Sequence, residues 1–380
     1  MKRQAASLVI VGLVAGLGVR AQAPKRLPII TGNGLVNVLV EVDGTVKTWG
    51  DPAALDPSPP LGNGIRASDQ REVKSPQALP GVRDIVDASV GVTHVLLLKG
   101  DGTVLAWGDN DECELGTGTN QRSLVPVPVP GLRGVTQIIA GASVSAAVVS
   151  DGTVWMWGQT ESKLCLAVPT KVEGLAGVKR LAFDGDSALV LKDDRTVWGW
   201  GANDSGELCD GTTERRPNPV QVKGIADAVD VALAGNSIIV LADGTVRMCG
   251  SNDDGGLGDP ARGVKQHLTP FRVPGLAGVR SARTVAGVTV VQLADGTLRA
   301  WGNGWYGALG DGHGDSSSAT PRAPVGLGPV LAHYMSRGTS YAIRADGTVM
   351  AWGGLLAPPG SKTEFILTPS PAAFTVKLSE

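Results

Sequence analysis

Seven times along this 380-residue chain an apolar run is followed by the phrase Asp-Gly-Thr-Val-x-x-Trp-Gly or a near copy of it. The copies span Asp43–Gly50, Asp101–Gly108, Asp151–Gly158, Asp194–Gly201, Asp243–Gly250, Asp295–Gly302 and Asp346–Gly353. Successive copies start 58, 50, 43, 49, 52 and 51 residues apart. A period near fifty marks stacked supersecondary units, each too short to bury its faces without neighbours. The repeat overrides the two or three domains that length alone suggests. It predicts an all-β array of seven like units averaging about 51 residues.

Each phrase lies between two apolar runs, as with Val38–Val42 before Asp43-Gly44 and Thr45–Trp49 after it. Asp-Gly supplies the positive backbone angles of a tight two-residue hairpin turn, so each copy predicts an antiparallel hairpin. A short strand ending near glycine precedes it, as in Ile138–Gly141, Val231–Gly235 and Thr284–Gly287. A proline-marked strand follows, as in Pro126–Val129, Pro217–Val222 and Pro270–Val273. Proline is tolerated where no amide hydrogen is needed, which places this strand outermost in a four-stranded antiparallel blade. Trp49, Trp107, Trp157, Trp200, Trp301 and Trp352 form a column, with Cys249 in the fifth unit. The residue before each is mostly small: Thr48, Ala106, Met156, Gly199, Met248, Ala300 and Ala351. Adjacent strand residues face opposite sides, so the ring fills one blade face while the small residue lets a neighbour approach. Core packing is the expected role of this column, not a ligand platform. Cys249 is expected to leave slack and make the fifth blade the softest.

The units resemble RCC1 repeats, those of the regulator-of-chromosome-condensation family of seven-bladed β-propellers. The features that carry the resemblance are the Ala-Gly before the hairpin, the phrase itself, and an Asn-x-x-Gly-x-Leu-Gly turn after it. That turn reads Asn110–Gly116, Asn203–Cys209, Asn252–Gly258 and Asn303–Gly310, the last with one extra residue. The resemblance covers residues 28–376 and implies a single propeller domain over 24–380. Three departures stand out. Only His94 fits the histidine that family members often carry after Ala-Gly. The third unit's turn is cut to Gln159–Cys165. The first unit carries an insertion, Asp51–Gln77, rich in Pro, Asp and Gly and without a strand-like run. Insertions in repeat folds emerge as loops, often on a binding face. Leu27–Thr31 reads as an inner strand and Pro369–Val376 as an outer one, leaving open whether the terminal blades are complete or exchange a strand.

Residues 1–23 read as an export signal: Lys2 and Arg3, an apolar Ala5–Val19, then Ala21-Gln22-Ala23 as a small-x-small cleavage pattern. Fifteen residues are short for a membrane span, so no stable membrane insertion is expected after removal. Pro24 hinders a cut after Ala23, which leaves Ala21 as the alternative. The mature chain would hold 31 basic and 36 acidic residues, a net charge of −5. No basic stripe is present, and no nucleic acid is expected as partner.

No catalytic constellation emerges, and neither cofactor nor metal is expected. His94, His267, His313 and His333 fall in different units. Asp311–Asp315 alternates carboxylates without completing a calcium loop, and Gly255–Gly258 lacks the lysine of a phosphate loop. Cys113, Cys165 and Cys209 are candidates for a cross-blade disulfide, Cys165–Cys209 or Cys113–Cys165, in an oxidising compartment. Four cysteines allow three complete pairings, which stay open.

The expected function is that of a secreted, non-catalytic, monomeric scaffold binding an unknown protein partner through propeller-face loops. It would be periplasmic, at the cell surface or extracellular. The family includes secreted bacterial propellers that inhibit β-lactamases by loop contacts, similar in architecture, although no inhibitory residue carries over. The alternatives are guanine-nucleotide exchange, the founding member's activity, which export opposes, and a polysaccharide-active enzyme, for which paired carboxylates are wanting.

Overall fold

The computed structural model describes residues 26–378 apart from 54–58, 160–163, 185–186, 262, 315, 337 and 355–365. The export signal assigned to residues 1–23 lies outside them. The first blade is β1 (Ile29–Gly32), β2 (Val36–Val40), β3 (Val46–Gly50) and β4 (Val73–Ala78). The second is β5 (Ile85–Val90), β6 (His94–Lys99), β7 (Val104–Gly108) and β8 (Ser123–Pro128). The third is β9 (Val135–Ala140), β10 (Val144–Val149), β11 (Val154–Gln159) and β12 (Cys165–Lys171). The fourth is β13 (Val178–Asp184), β14 (Ser187–Lys192), β15 (Val197–Gly201) and β16 (Arg216–Gln221). The fifth is β17 (Ala228–Ala234), β18 (Asn236–Leu241), β19 (Val246–Ser251) and β20 (Gln266–Arg272). The sixth is β21 (Val279–Val285), β22 (Val288–Leu293), β23 (Leu298–Gly302) and β24 (Ser318–Arg322). The seventh is β25 (Ala332–Ser336), β26 (Thr339–Ile343), β27 (Thr348–Gly353) and β28 (Ile366–Thr375).

Strands follow chain order in every sheet, giving a β-propeller of seven four-stranded antiparallel blades. Among the described residues no helix is long and apolar enough to cross a membrane. Every fourth strand holds proline (Pro76, Pro126, Pro169, Pro217, Pro270, Pro321 and Pro369) and pairs on one side only, so the missing amide removes no ladder bond. Both terminal blades are complete in themselves. The ring closes by packing: β1 lies against β25, and the Tyr334 hydroxyl donates to the Pro28 carbonyl at 2.6 Å. Trp49 meets Tyr341 and Phe374 edge-on at 6.3 and 5.2 Å.

Two expectations are corrected. The hairpin loop has three residues, not two. The Gly44 amide donates to the Glu41 carbonyl, and Glu41 and Thr45 close the ladder. Of Asp43 and Gly44 only the glycine has positive φ, +77°, as in a turn followed by a G1 bulge. Asp43 contributes its side chain instead, accepting from the Thr45 amide at 2.9 Å and hydroxyl at 2.6 Å. Second, the first-unit insertion contains β4, an edge strand whose Lys74, Ser75 and Gln77 face solvent. Only Val73 and Pro76 of this strand are half-buried and the rest are exposed, so it has no alternating apolar row to mark it in the sequence.

In the fourth copy Arg195 occupies the glycine position of the hairpin at φ +65°. A left-handed backbone costs an ordinary residue roughly 1–2 kcal/mol. Arg195→Gly is therefore expected to stabilise the ring by about 1 kcal/mol and raise the thermal midpoint by about 2 °C. An unchanged or lower midpoint in calorimetry would show that Arg195 is not strained.

The tryptophan column packs the seams. Trp107, Trp157, Trp301 and Trp352 have 0% of their surface exposed. Trp157 lies among Leu96, Ala106 and Leu115 of the preceding blade, the small residue before the column admitting the ring as the sequence suggests. Each ring N–H then donates to a carbonyl in the preceding blade's turn: Trp107 to Pro60 at 2.8 Å, Trp157 to Glu114 at 2.7 Å, Trp301 to Gly256 and Trp352 to Ala308, both at 3.1 Å. Pro60 shows that the insertion also hides the first unit's version of this turn.

Candidate functional site

The strand order separates two sets of connections at opposite ends of the blades. One end holds the Asp-Gly hairpins. The other holds the links between first and second strands and the turns that follow each tryptophan. Asn110 organises such a turn from within: its Nδ2 donates to the Thr119 and Gln121 carbonyls at 2.8 and 3.0 Å, and its Oδ1 accepts the Leu115 amide at 2.9 Å. Asn203 repeats the arrangement with Thr212, Glu214 and Leu208. The turn then reaches forward to the next blade's outer strand, Gly118 donating to Ala167 and Gly211 to Leu268.

This forward reach explains the cysteines. Cys113 is joined to Cys165, their Cα atoms 5.6 Å apart, because the second blade's turn lies on the start of β12. Cys165 does not pair with Cys209, whose own turn points onward to the fifth blade and is joined to Cys249 with Cα atoms 5.5 Å apart. Cys113 and Cys209 stand at the two glycine positions of the Asn-x-x-Gly-x-Leu-Gly turn and keep the glycine conformation, at φ +66° and +57°. Cys249 itself has 0% exposure and packs in a continuous cluster with Leu189, Val197, Ile225 and Ile239. The fifth blade therefore gains a covalent tie where slack was expected. Trp200, half-buried, faces the seam after the shortened third turn, and among the described residues its ring N–H has no partner.

The four histidines are not brought together. The arrangement nearest to a catalytic pair is His94 Nε2 with Ser145 Oγ at 2.7 Å. The Ser145 hydroxyl donates to the Glu114 carbonyl at 2.8 Å, so the imidazole must donate to the serine. Both side chains are buried, and the His94 Nδ1 has no partner. The pair braces the seam that Trp157 fills. His267 Nε2 donates to Asp259 Oδ2 at 2.8 Å and stacks on Phe271; His313 lies 3.4 Å from Asp311, while Asp315 is outside the described residues. His333 stacks on Trp352. Among the described residues no three His, Cys, Asp or Glu side chains gather as metal ligands.

Burial pushes both His94 and His333 down to about 3, with Arg283 adding to the effect at His333. A histidine neutral when folded but protonated when unfolded keeps its contribution above the unfolded value near 6.5 and loses it as pH falls toward 3. Each should cost about 1 kcal/mol between pH 6.5 and 5.5. Asp87, raised to about 6 by burial, titrates in the opposite sense over much of that window. The expected result is that His94→Gln, which keeps a donor for Ser145, flattens the decline of stability with acidification. Equal slopes in urea titrations of the two proteins would refute the assignment.

Sequence reasoning missed two features. The first is a belt of charge on the innermost strands, which meet around the ring. Arg180 Nε lies 2.8 Å from Asp230 Oδ1, and Asp230 Oδ2 accepts the Ala282 amide at 3.1 Å. One carboxylate thereby ties the fourth, fifth and sixth blades. Gln137 similarly exchanges two hydrogen bonds with Leu181. These residues follow a register shift near the start of their strands, a local irregularity with no mark in the repeated phrase. The second is the pair Trp305 and Tyr306, 55% and 52% exposed, in the sixth turn with its extra residue.

The regulator of chromosome condensation (RCC1) repeat model matches residues 101–148 and 194–241, and a second RCC1 repeat model matches 85–112. The matches to RCC1 repeats thus fall in the second to fifth units. Human E3 ubiquitin-protein ligase HERC2 is 30% identical over 114 residues, which is 27% of this chain and 2% of that protein. Human Protein RCC2 is 31% identical over 120 residues, 31% of this chain and 20% of that protein. The matched RCC1 repeats thus span a small fraction of either relative. In three dimensions the seven-bladed ring is similar to Prp20p of Saccharomyces cerevisiae (TM-score 0.70, 23% identity, 83% of this chain and 84% of that one). It is also similar to human WBSCR16 (TM-score 0.71, 22% identity, 87% and 95% covered). These likenesses establish the fold.

Proposed function

We propose that this protein is an exported, non-catalytic scaffold that offers one propeller face to a protein partner. The observation that carries this reading is how the chain divides its repeated and unrepeated residues. The phrase is spent on hairpins and seams, Asp43 holding Thr45 and Trp157 holding Glu114. The departures from it, the first-unit insertion and the enlarged sixth turn, fall in the turns after the tryptophans. Variable connections on a rigid ring give recognition without chemistry. A solved complex of yeast RCC1 (Prp20) has Kap60 bound to that propeller-bearing protein (TM-score 0.73, 20% identity, 92% of this chain and 85% of that one), a precedent for protein binding by a chain of this fold. Export rests on the pattern of residues 1–23, and the Cys113–Cys165 and Cys209–Cys249 pairs suit an oxidising compartment. In this reading the chain works as a monomer without cofactor.

The test is crosslinking in producing cells, followed by peptide mapping. The expected result is a chain beginning after residue 21 or 23, linked to another protein through post-tryptophan turns. A cytosolic chain retaining residues 1–23, or one linked only to itself, would overturn the proposal.

A further inference from the structure

Resting on the protein-binding reading, we infer that the post-tryptophan face takes a Lys/Arg-rich segment of its partner, with Trp305 and Tyr306 as the anchor and Asp111, Asp204, Asp253 and Asp254 as a charged arc. The anchor is built to stand out from the ring. The Trp305 amide is held by Asn303 Oδ1 at 2.9 Å, the Ala308 amide donates to the Trp305 carbonyl at 3.2 Å, and Gly307 donates to Gly314 at 3.3 Å. A side chain on Gly304 would collide with the Ser316 carbonyl, so the base of the turn lies flush on the returning chain. Tyr306 takes left-handed backbone at φ +61°. A pinned turn thus keeps Trp305, with Tyr306 beside it, more than half exposed and presents apolar surface at this end of the ring.

Charge decides the occupant. The residue after the turn asparagine is Asp111 in the second unit, Asp204 in the fourth and Asp253 in the fifth, and all three are exposed. The same position in equivalent turns puts them at one end of the ring. Asp254, also exposed, accepts from Asn303 Nδ2 at 3.3 Å, and Asn303 in turn holds the Trp305 amide, so this carboxylate is one side chain from the anchor. None of the four joins an ion pair among the described residues. The described residues of segments 109–122, 202–215, 252–265 and 303–317 include twelve acidic and three basic ones, in a chain whose overall charge is only −2. An ammonium or guanidinium group seats on the face of an exposed Trp or Tyr ring, and an arc of carboxylates steers a cationic chain toward it. Nucleic acid and anionic lipid would be repelled.

The experiment measures binding of a labelled 20-residue Lys/Arg/Gly/Ser peptide, and of its Glu-substituted counterpart, to the mature chain by fluorescence anisotropy. Three variants are compared: W305S/Y306N; D111N/D204N/D253N/D254N on this face; and D101N/D151N/D243N/D295N at the hairpin end, which removes equal charge. The basic peptide is expected to bind about tenfold more weakly to each of the first two, near wild-type strength to the third, and with an affinity that falls as salt rises. The acidic peptide is expected not to bind. Trp305→Leu, which keeps apolar bulk but removes the ring face, separates loss of recognition from a folding defect. Equal weakening by the hairpin-end variant, or no weakening by the aromatic variants, overturns the inference. A crosslinked partner seated at the hairpin end would sink this inference and leave the protein-binding reading intact, whereas finding no partner would sink that reading first.

Discussion

Trp157→Ala is expected to destabilise the propeller by about 4 kcal/mol in urea unfolding, within the usual cost of deleting a buried large aromatic side chain. The ring has no exposed surface and fills the seam between Leu96, Ala106 and Leu115 of one blade and Ile138 and Ala147 of its own. The space is tight: a Cβ on Gly116 would stand 2.6 Å from the ring. Removing the side chain opens a cavity that two hydrogen-bonded sheets cannot easily collapse to fill. It also takes from the Glu114 carbonyl one of its two donors, leaving only Ser145. Trp157→Phe keeps much of the volume but no N–H, and is expected to cost about 1–3 kcal/mol. Because the ring belongs to a seam, hydrogen exchange should quicken in the second blade as well as the third, as nearest-neighbour coupling between units requires. A loss below about 1 kcal/mol for the alanine variant, or exchange changes confined to the third blade, would mean that the column does not carry the seam.

That seam was legible because the sequence places the tryptophan at a fixed distance from the hairpin, and strand alternation assigns it a face. What was not legible is what depends on direction or on a partner distant in sequence. Asp-Gly serves both two- and three-residue hairpins, and only the pairing of Glu41 with Thr45 tells them apart. Edge strand β4 has no apolar alternation because most of its residues face water. The choice of Cys165 for Cys113 and Cys249 for Cys209 follows from the forward reach of each turn to the next blade, which no spacing encodes. Trp305 and Tyr306 lie in a turn that the sequence shows to be one residue too long, but their exposure depends on how that turn is pinned. The Arg180–Asp230 tie lies on strands that the sequence marks only through their apolar positions.

Replacing both Cys209 and Cys249 with serine is expected to cost about 4 kcal/mol on the chain-entropy account of a bridge between residues 40 apart. Restoring the repeat's own solution should recover much of that loss without any covalent bond. In the second-to-third seam a glycine, Gly116, faces Trp157, the ring N–H donates to Glu114, and Ser145 donates to the same carbonyl. In the fourth-to-fifth seam Cys209 stands in the glycine position at φ +57°, Cys249 in the tryptophan position, and Ser237 donates to the Glu207 carbonyl. The disulfide thus replaces both halves of one contact. Cys209→Gly together with Cys249→Trp relieves the left-handed strain at 209, supplies the ring, and offers Glu207 its second donor. Cys249→Trp alone meets the Cys209 side chain where a glycine is needed, and is expected to be the least stable of the set. The double swap should approach wild-type stability and become indifferent to reductant, while the wild type loses stability when reduced. A double swap no more stable than the double serine variant, or a favourable coupling between the two swaps smaller than about 1 kcal/mol, would show that the bridge and the tryptophan seam are not interchangeable.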